Sequence, residues 1–313
     1  MDKMQLSSEK PLMATKTKST DWNWQELKSL LKIGIIQSNT MTAFAGFWLA
    51  LFYTGASFAT HWHIFLVVII GTAFVIAGGC VLNNYYDRDI DQVMQRTKTR
   101  PSVTGSISLS HILMIGMTLT VVGLLILSLA SWQAAVVGAI GWFSYVILYT
   151  MWSKRRYTIN TAIGSLSGAI PPLIGWAAVD PHLHPVAWLL FFLVFIWQTP
   201  HFLAIAIKKK EEYQLANIPM LPVVYGDAIT KRQMLIYIAC LLPLPLYFIS
   251  LGYFFLIVVT MLNIGWLVLA VKGLFTDQHK QWANRMFIYS LFYLTSVFVL
   301  MIIVTLPEVM VFR

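Results

Sequence analysis

The chain has 313 residues, of which 58% are hydrophobic and only 11% charged, with a formal net charge of +9. Soluble domains carry roughly 25% charged residues, so the composition excludes a soluble globular protein and points to an integral membrane protein. The excess of base does not indicate nucleic acid, because the basic residues fall in loops between apolar runs, where they set orientation.

Residues 1–20 are rich in Lys, Ser and Thr and read as a disordered tail. The first 32 residues lack the apolar core of a cleavable signal peptide. Residues 21–32 read either as a short amphipathic helix resting Trp22, Trp24 and Leu27 on the membrane surface, or as a plain linker. The expected division is a polar cytoplasmic segment, 1–32, and a membrane domain, 33–313. A spanning helix needs about 20 apolar residues. Nine such runs follow, at 34–55, 63–84, 109–130, 132–151, 159–178, 185–207, 233–251, 253–273 and 285–306. The expected fold is an all-α, polytopic bundle of nine transmembrane helices. Gly252 is the break between the seventh and eighth. Pro171-Pro172 interrupts the fifth, as a packing kink or as a cavity wall. Every Lys and Arg except Arg313 lies in the N-terminal segment, in a loop after an even-numbered span, or, for Lys272 and Arg285, at the end of a span beside such a loop. That asymmetry places the N-terminus in the cytoplasm and the C-terminus outside. Cys80 and Cys240, both in apolar runs, imply neither a disulfide framework nor a Cys metal site.

Four segments carry chemistry. Asn83, Asp87 and Asp91 are spaced four apart and form one helical stripe where the second span ends. Two carboxylates and an amide at a membrane edge make a hard-oxygen site of the type Mg²⁺ prefers when it also holds a phosphate. The plainer reading, a solvated helix end, suits Arg88 and Asp89, which fall off the stripe. Arg96, Lys98 and Arg100 follow at once and suit phosphate oxygens. Tyr149 to Arg156 ends the fourth span, and one or two of Lys154, Arg155 and Arg156 reach the same anion, with Asn160 close behind. Gln198 and His201 sit inside the apolar sixth span, where polar side chains are costly. His201 is open to several readings: proton acceptor, phosphate ligand, porphyrin neighbour, or interhelical hydrogen bond. Together, acids and bases at one rim suggest a diphosphate substrate entering from the membrane.

From about Lys32 to the last helix the chain resembles the intramembrane prenyltransferases of the UbiA superfamily. The general motif is Asn83-x-x-x-Asp87-x-x-x-Asp91, followed by Arg96-Thr97 and Arg100-Pro101. Tyr149-Thr150-x-Trp152-x-Lys154-Arg155, Gly168-Ala169-x-Pro171-Pro172-x-Ile174-Gly175-Trp176, Trp197-Gln198-x-Pro200-His201-Phe202 and Ile218 to Val224 match the haem-prenylating branch more specifically. Quinone-prenylating relatives carry a second aspartate-rich motif near the sixth helix. Here that region holds Gln198 and His201, and the next acids are Glu211 and Glu212. Either one Mg²⁺ suffices, or those glutamates contribute a second site.

The resemblance implies an enzyme that transfers the farnesyl group of farnesyl diphosphate to a vinyl group of haem b, with addition of water. It implies Mg²⁺ held by Asn83, Asp87 and Asp91. Arg96, Arg100, Lys154 and Arg155 are implied to act on the diphosphate. Lys32, Asn39, Tyr149, Asn160, Gln198, His201 and Lys208 are implied to lie on the substrate side. The setting is the inner cell membrane, with the site facing the cytoplasm and a haem-A-forming enzyme downstream. The alternatives are prenylation of a quinone precursor, a secondary transporter built on the broken fifth helix, and a non-catalytic haem-handling subunit.

Overall fold

A computed structural model describes residues 24–310, and the expectations for residues 1–23 and for Arg313 lie outside it. Every regular element among the described residues is helical. In chain order they are α1 (Trp24–Leu31), α2 (Ile33–Thr54), α3 (Phe58–Tyr86), α4 (Arg88–Val93), α5 (Pro101–Thr104), α6 (Leu109–Ser128) and α7 (Trp132–Phe143). A π-helical stretch, Ser144–Ser153, continues α7. Then come α8 (Asn160–Gly168), α9 (Pro171–Ala177), α10 (Pro185–Lys208), α11 (Lys210–Leu215), α12 (Leu221–Val224) and α13 (Gly226–Cys240). A 3₁₀ stretch, Leu244–Leu251, precedes α14 (Tyr253–Leu274) and α15 (His279–Met310).

Eight helices among the described residues are long and apolar enough to cross a membrane. They coincide with eight of the nine expected spans. The expected fifth span, 159–178, is instead the pair α8 and α9. Proline cannot donate to the helical ladder, so the chain breaks at Ala169-Ile170, and Pro171 starts the second piece. All seven residues of α9 are buried. The seventh span begins at Gly226, earlier than the expected 233, because the helix runs on past the apolar window. There Lys231 Nζ donates to the Thr276 carbonyl at 2.9 Å and lies over the Trp282 ring, so its charge does not end the helix.

The tightest crossing joins α2 to α9. A Cβ on Gly175 would stand 1.9 Å from the Ala43 carbonyl oxygen, and one on Gly46 would stand 2.0 Å from that of Pro172. Small residues permit such close approach, which is how helices associate where lipid removes most of the hydrophobic drive. The crossing pins the broken span to the first one.

Segment α1 forms the short helix expected within 21–32. Leu30 is fully buried with Val81, Ile107 and Ile112, and Asn84 Nδ2 donates to the Leu30 carbonyl at 2.8 Å. The helix therefore docks on the end of α3, while Trp24 stays exposed. Lys32 joins α1 to α2 with φ 56, a left-handed conformation that costs a non-glycine residue about 1 kcal/mol.

Gly175→Val is expected to lower the detergent melting temperature clearly, because overpacking of this kind costs roughly 1–3 kcal/mol. Gly34→Ala, where an added Cβ meets nothing within 4 Å, is expected to leave it unchanged. A thermal melt of the three proteins, followed by circular dichroism, checks the pair.

Candidate active site

The α3 helix ends at Tyr86, yet its hydrogen-bond ladder runs on. Asp87 N–H donates to the Asn83 carbonyl and Asp91 N–H to the Asp87 carbonyl, both at 2.9 Å. Asn83, Asp87 and Asp91 therefore keep the helical spacing across the junction with α4. They are 3%, 0% and 3% exposed. An ionised carboxylate buried this deeply loses several kcal/mol of solvation and needs partners.

The partners come from distant parts of the chain. Lys154, just past the π-helix, donates to Asp87 Oδ2, and Asn83 Nδ2 donates to the same oxygen at 2.8 Å. Arg100 Nη1 meets Asp91 Oδ2 at 2.6 Å. Lys32 Nζ donates to Asn83 Oδ1. Burial lowers the Lys32 pKa to about 8, so the ammonium stays mostly charged at pH 7.

Arg155 grips Asp89 with Nη1 and Nη2, each at 2.6 Å. Its Nη2 also donates to the Tyr86 carbonyl, and the guanidinium lies over the Tyr86 ring. The hydrogen bond from Arg155 holds the Asp89 carboxyl below its ordinary range, and that bond in turn raises the guanidinium. Arg155 Nη2 stands 3.5 Å from Asp87 Oδ1 without hydrogen-bond geometry. That buried oxygen has no hydrogen-bond partner among the described residues.

An orphaned carboxylate oxygen beside a second carboxylate and an amide fits a hard cation such as Mg²⁺. No group of three His, Cys, Asp or Glu forms a metal cluster among the described residues. The stripe offers such an ion two carboxylates and an amide.

Two contributors have roles that the sequence does not assign. Asp89 falls off the stripe and is mostly exposed, yet it is the anchor of Arg155. Nothing near Asp89 in sequence marks a partner 66 residues away. The second is Thr150, which is fully buried. Its hydroxyl donates to the Tyr145 carbonyl at 2.9 Å, five residues back on the π-helix. Its lone pair is thereby left to accept from Asn83 Nδ2 at 2.9 Å. With Nδ2 shared between Thr150 and Asp87, the Asn83 amide can face only one way, and Oδ1 points at Lys32. The π-helix carries more residues per turn than an α-helix. It places Thr150 against Asn83 and Lys154 against Asp87 from the same short segment.

The other expected residues divide into two groups. Asn160 Nδ2 donates to the Lys154 carbonyl at 3.3 Å, bracing the loop that carries Lys154 and Arg155. Tyr149 stacks on Tyr145, one turn from Thr150. Arg96 is exposed, makes no ion pair among the described residues, and acts electrostatically on Tyr213, whose pKa burial raises. Those three surround the cluster.

The rest do not join it. Asn39 Nδ2 donates to the Ile35 carbonyl of its own helix at 2.8 Å. His201 stacks on Trp197 and Phe287 and bonds Ser290 Oγ at 2.7 Å, so of its open readings the structure displays the interhelical hydrogen bond. Gln198 presses on Gly168, where a Cβ would stand 2.3 Å from its amide, and its Oε1 has no partner. Lys208 Nζ donates to Asn284 Oδ1 at 2.6 Å. Glu211 and Glu212 are engaged by Lys280 and Lys209.

The pattern of the UbiA prenyltransferase family matches residues 39–292, and the chain belongs to that family. It is 59% identical to the protoheme IX farnesyltransferase of Oceanobacillus iheyensis over 90% of each chain. A solved structure of digeranylgeranylglyceryl phosphate synthase is similar in fold, with a TM-score of 0.71 at 19% identity, covering 90% of this chain and 98% of that one. A UbiA homologue from Archaeoglobus fulgidus bound to GPP and Mg²⁺ is similar at a TM-score of 0.60 and 15% identity, covering 88% and 99%.

Residues one step removed from a metal typically change its affinity 10–100-fold. Thr150→Val is therefore expected to weaken Mn²⁺ binding by about tenfold, and Thr150→Ser, which keeps the hydroxyl, to restore it. Isothermal calorimetry on the three proteins decides this, since a purely structural effect would not be rescued at unchanged thermal stability.

Proposed function

We propose that this chain transfers the farnesyl group of farnesyl diphosphate to a vinyl side chain of haem b, with addition of water and release of diphosphate. The observation that carries the prenyl-transfer chemistry is the gathering of Lys32, Asn83, Asp87, Asp91, Arg100 and Lys154 at one end of the bundle. The choice of haem as acceptor is supported by the 59% identity to a protoheme IX farnesyltransferase. The replacement of a second aspartate-rich motif by Gln198 and His201 supports it too. The membrane is the inner cell membrane, with this end of the bundle facing the cytoplasm. The distribution of Lys and Arg among the loops supports that orientation.

The physical division of labour follows. The fifteen-carbon tail is apolar, and each buried methylene contributes about 0.8 kcal/mol, so a sheath among the helices holds it. The diphosphate cannot enter hydrocarbon and stops at the polar rim. Asp87, Asp91 and Asn83 Oδ1 would hold Mg²⁺, which when bound neutralises charge on the leaving diphosphate. Lys32, Lys154 and Arg100 sit within a side chain's reach of the same oxygens and bind the diphosphate as charge develops on it. Arg96 is exposed and available at the mouth. Arg155 is committed to Asp89 and holds in place the loop that carries Lys154.

Heterolysis of the allylic C–O bond sends its electron pair to the diphosphate. The vinyl π electrons then form the new C–C bond. Water adds to the resulting cation beside the porphyrin and releases a proton, giving a hydroxyethylfarnesyl substituent. No enzyme nucleophile is required.

The test is a mass spectrum of the porphyrin formed by purified protein from haem b, farnesyl diphosphate and Mg²⁺. The expected product carries one farnesyl group and one hydroxyl. Prenylated 4-hydroxybenzoate with unmodified haem would overturn the choice of acceptor. Asp87→Asn and Asp91→Asn are each expected to reduce turnover by about 10²–10³-fold, the scale for losing one group that stabilises developing negative charge, here the cation these carboxylates would hold. Wild-type rates in either variant at saturating Mg²⁺ would contradict the site.

A further inference from the structure

An open cleft of about 560 Å³ lies where α10 ends and α15 begins, lined by Lys208, Lys209, Lys280, Gln281, Asn284 and Arg285. Four of the six carry positive charge, and no carboxylate lines it. Two of the four are matched from the cleft's edge, Lys209 by Glu212 and Lys280 by Glu211. Lys208 is held by the neutral Asn284 and lies over the Phe287 ring, and Arg285 is exposed without an ion-pair partner among the described residues. The cleft therefore keeps two uncompensated cations. The prenyl-transfer chemistry uses neither: on α10, Ala206 packs toward Ile90 and Met94 beside the diphosphate residues. Lys208, two residues on, projects from nearly the opposite face, as the 3.6-residue period requires.

Below the cleft α15 turns apolar on its outer face. Ile288, Leu291 and Phe292 are 57%, 45% and 58% exposed. Ile288 and Phe292 continue the Arg285 face one and two turns deeper, and Leu291 borders Ile288 on the side of that stripe. Cations at the rim above an exposed apolar stripe match a molecule with an anionic head and hydrocarbon chains. Basic pockets between transmembrane helices bind anionic lipid headgroups for this reason.

We propose that this cleft is a binding site for an anionic phospholipid, its phosphate held by Lys208 and Arg285 and its acyl chains laid along Ile288, Leu291 and Phe292. The site is separate from the reaction centre and does not depend on the identity of the acceptor.

The experiment is native mass spectrometry of the full chain released from membranes, with phosphatidylglycerol or phosphatidylcholine added back. The wild type is expected to retain one phosphatidylglycerol and to bind phosphatidylcholine at least tenfold more weakly. Arg285→Gln and Arg285→Glu, at an exposed position where folding is not at stake, are expected to lose at least fivefold in retention. Equal retention of both lipids, or unchanged retention in the variants, would overturn the proposal. Binding of free glycerol phosphate as tight as that of the lipid would overturn the role of the acyl chains. Displacement of the lipid by haem, with haem binding lost in Arg285→Glu, would assign the cleft to porphyrin carboxylates and overturn it as well.

Discussion

The charge on Asp87 is the constraint around which this bundle is arranged. A fully buried carboxylate at the end of a membrane helix is tolerable only if several donors converge on it. Asn83 comes from one turn deeper on the same helix and Lys154 from just past the π-helical end of another span, while Arg155, the residue beyond, brings its charge to 3.5 Å from Oδ1 without a hydrogen bond. Each of those groups has partners of its own. Asn83 is fixed by Thr150 and Lys32, Arg155 by Asp89, and the loop carrying Lys154 by Asn160. Holding one carboxylate in place thus ties α3, α4, the π-helix and the α1–α2 junction into a single polar plug. Such networks are strong when satisfied and costly when not, and Asp87 Oδ1 is the oxygen left without a hydrogen bond.

The same arrangement separates two solvents. Apolar residues form the body of the bundle, while cations and carboxylates meet at its end. A substrate with a long hydrocarbon tail and a highly charged head is matched to both at once. The left-handed backbone at Lys32 belongs to this design. It turns the chain between α1 and α2 and brings an ammonium onto Asn83, and the strain is offset by burial of Leu30 on the other side of the turn.

Much of this was legible in the sequence, for identifiable reasons. Spans of about 20 apolar residues and the alternation of basic loops both follow from the bilayer, so the helix positions could be read directly. The Pro171-Pro172 break was visible because proline forbids the ladder, although its outcome, two short helices of which the buried second is pinned to α2 at Gly46 and Gly175, required the packing. The Asn83/Asp87/Asp91 stripe was visible because its spacing is local. Thr150 and Asp89 were hidden because their roles depend on partners dozens of residues away. A π-helix, moreover, has no periodic signature short enough to notice. His201 was conspicuous as a polar residue in an apolar span, yet it is satisfied by Ser290 and two aromatic rings.

The most direct measurement is anomalous scattering from Mn²⁺ in crystals grown with a non-reactive farnesyl thiolodiphosphate. The expected result is a peak bonded by Asp87 and Asp91 and lying against the diphosphate, with Lys154 and Arg100 contacting the phosphate oxygens, and no peak in Asp87→Asn. A metal bound instead at Glu211 and Glu212, or a diphosphate lodged away from Lys154 and Arg100, would contradict the account.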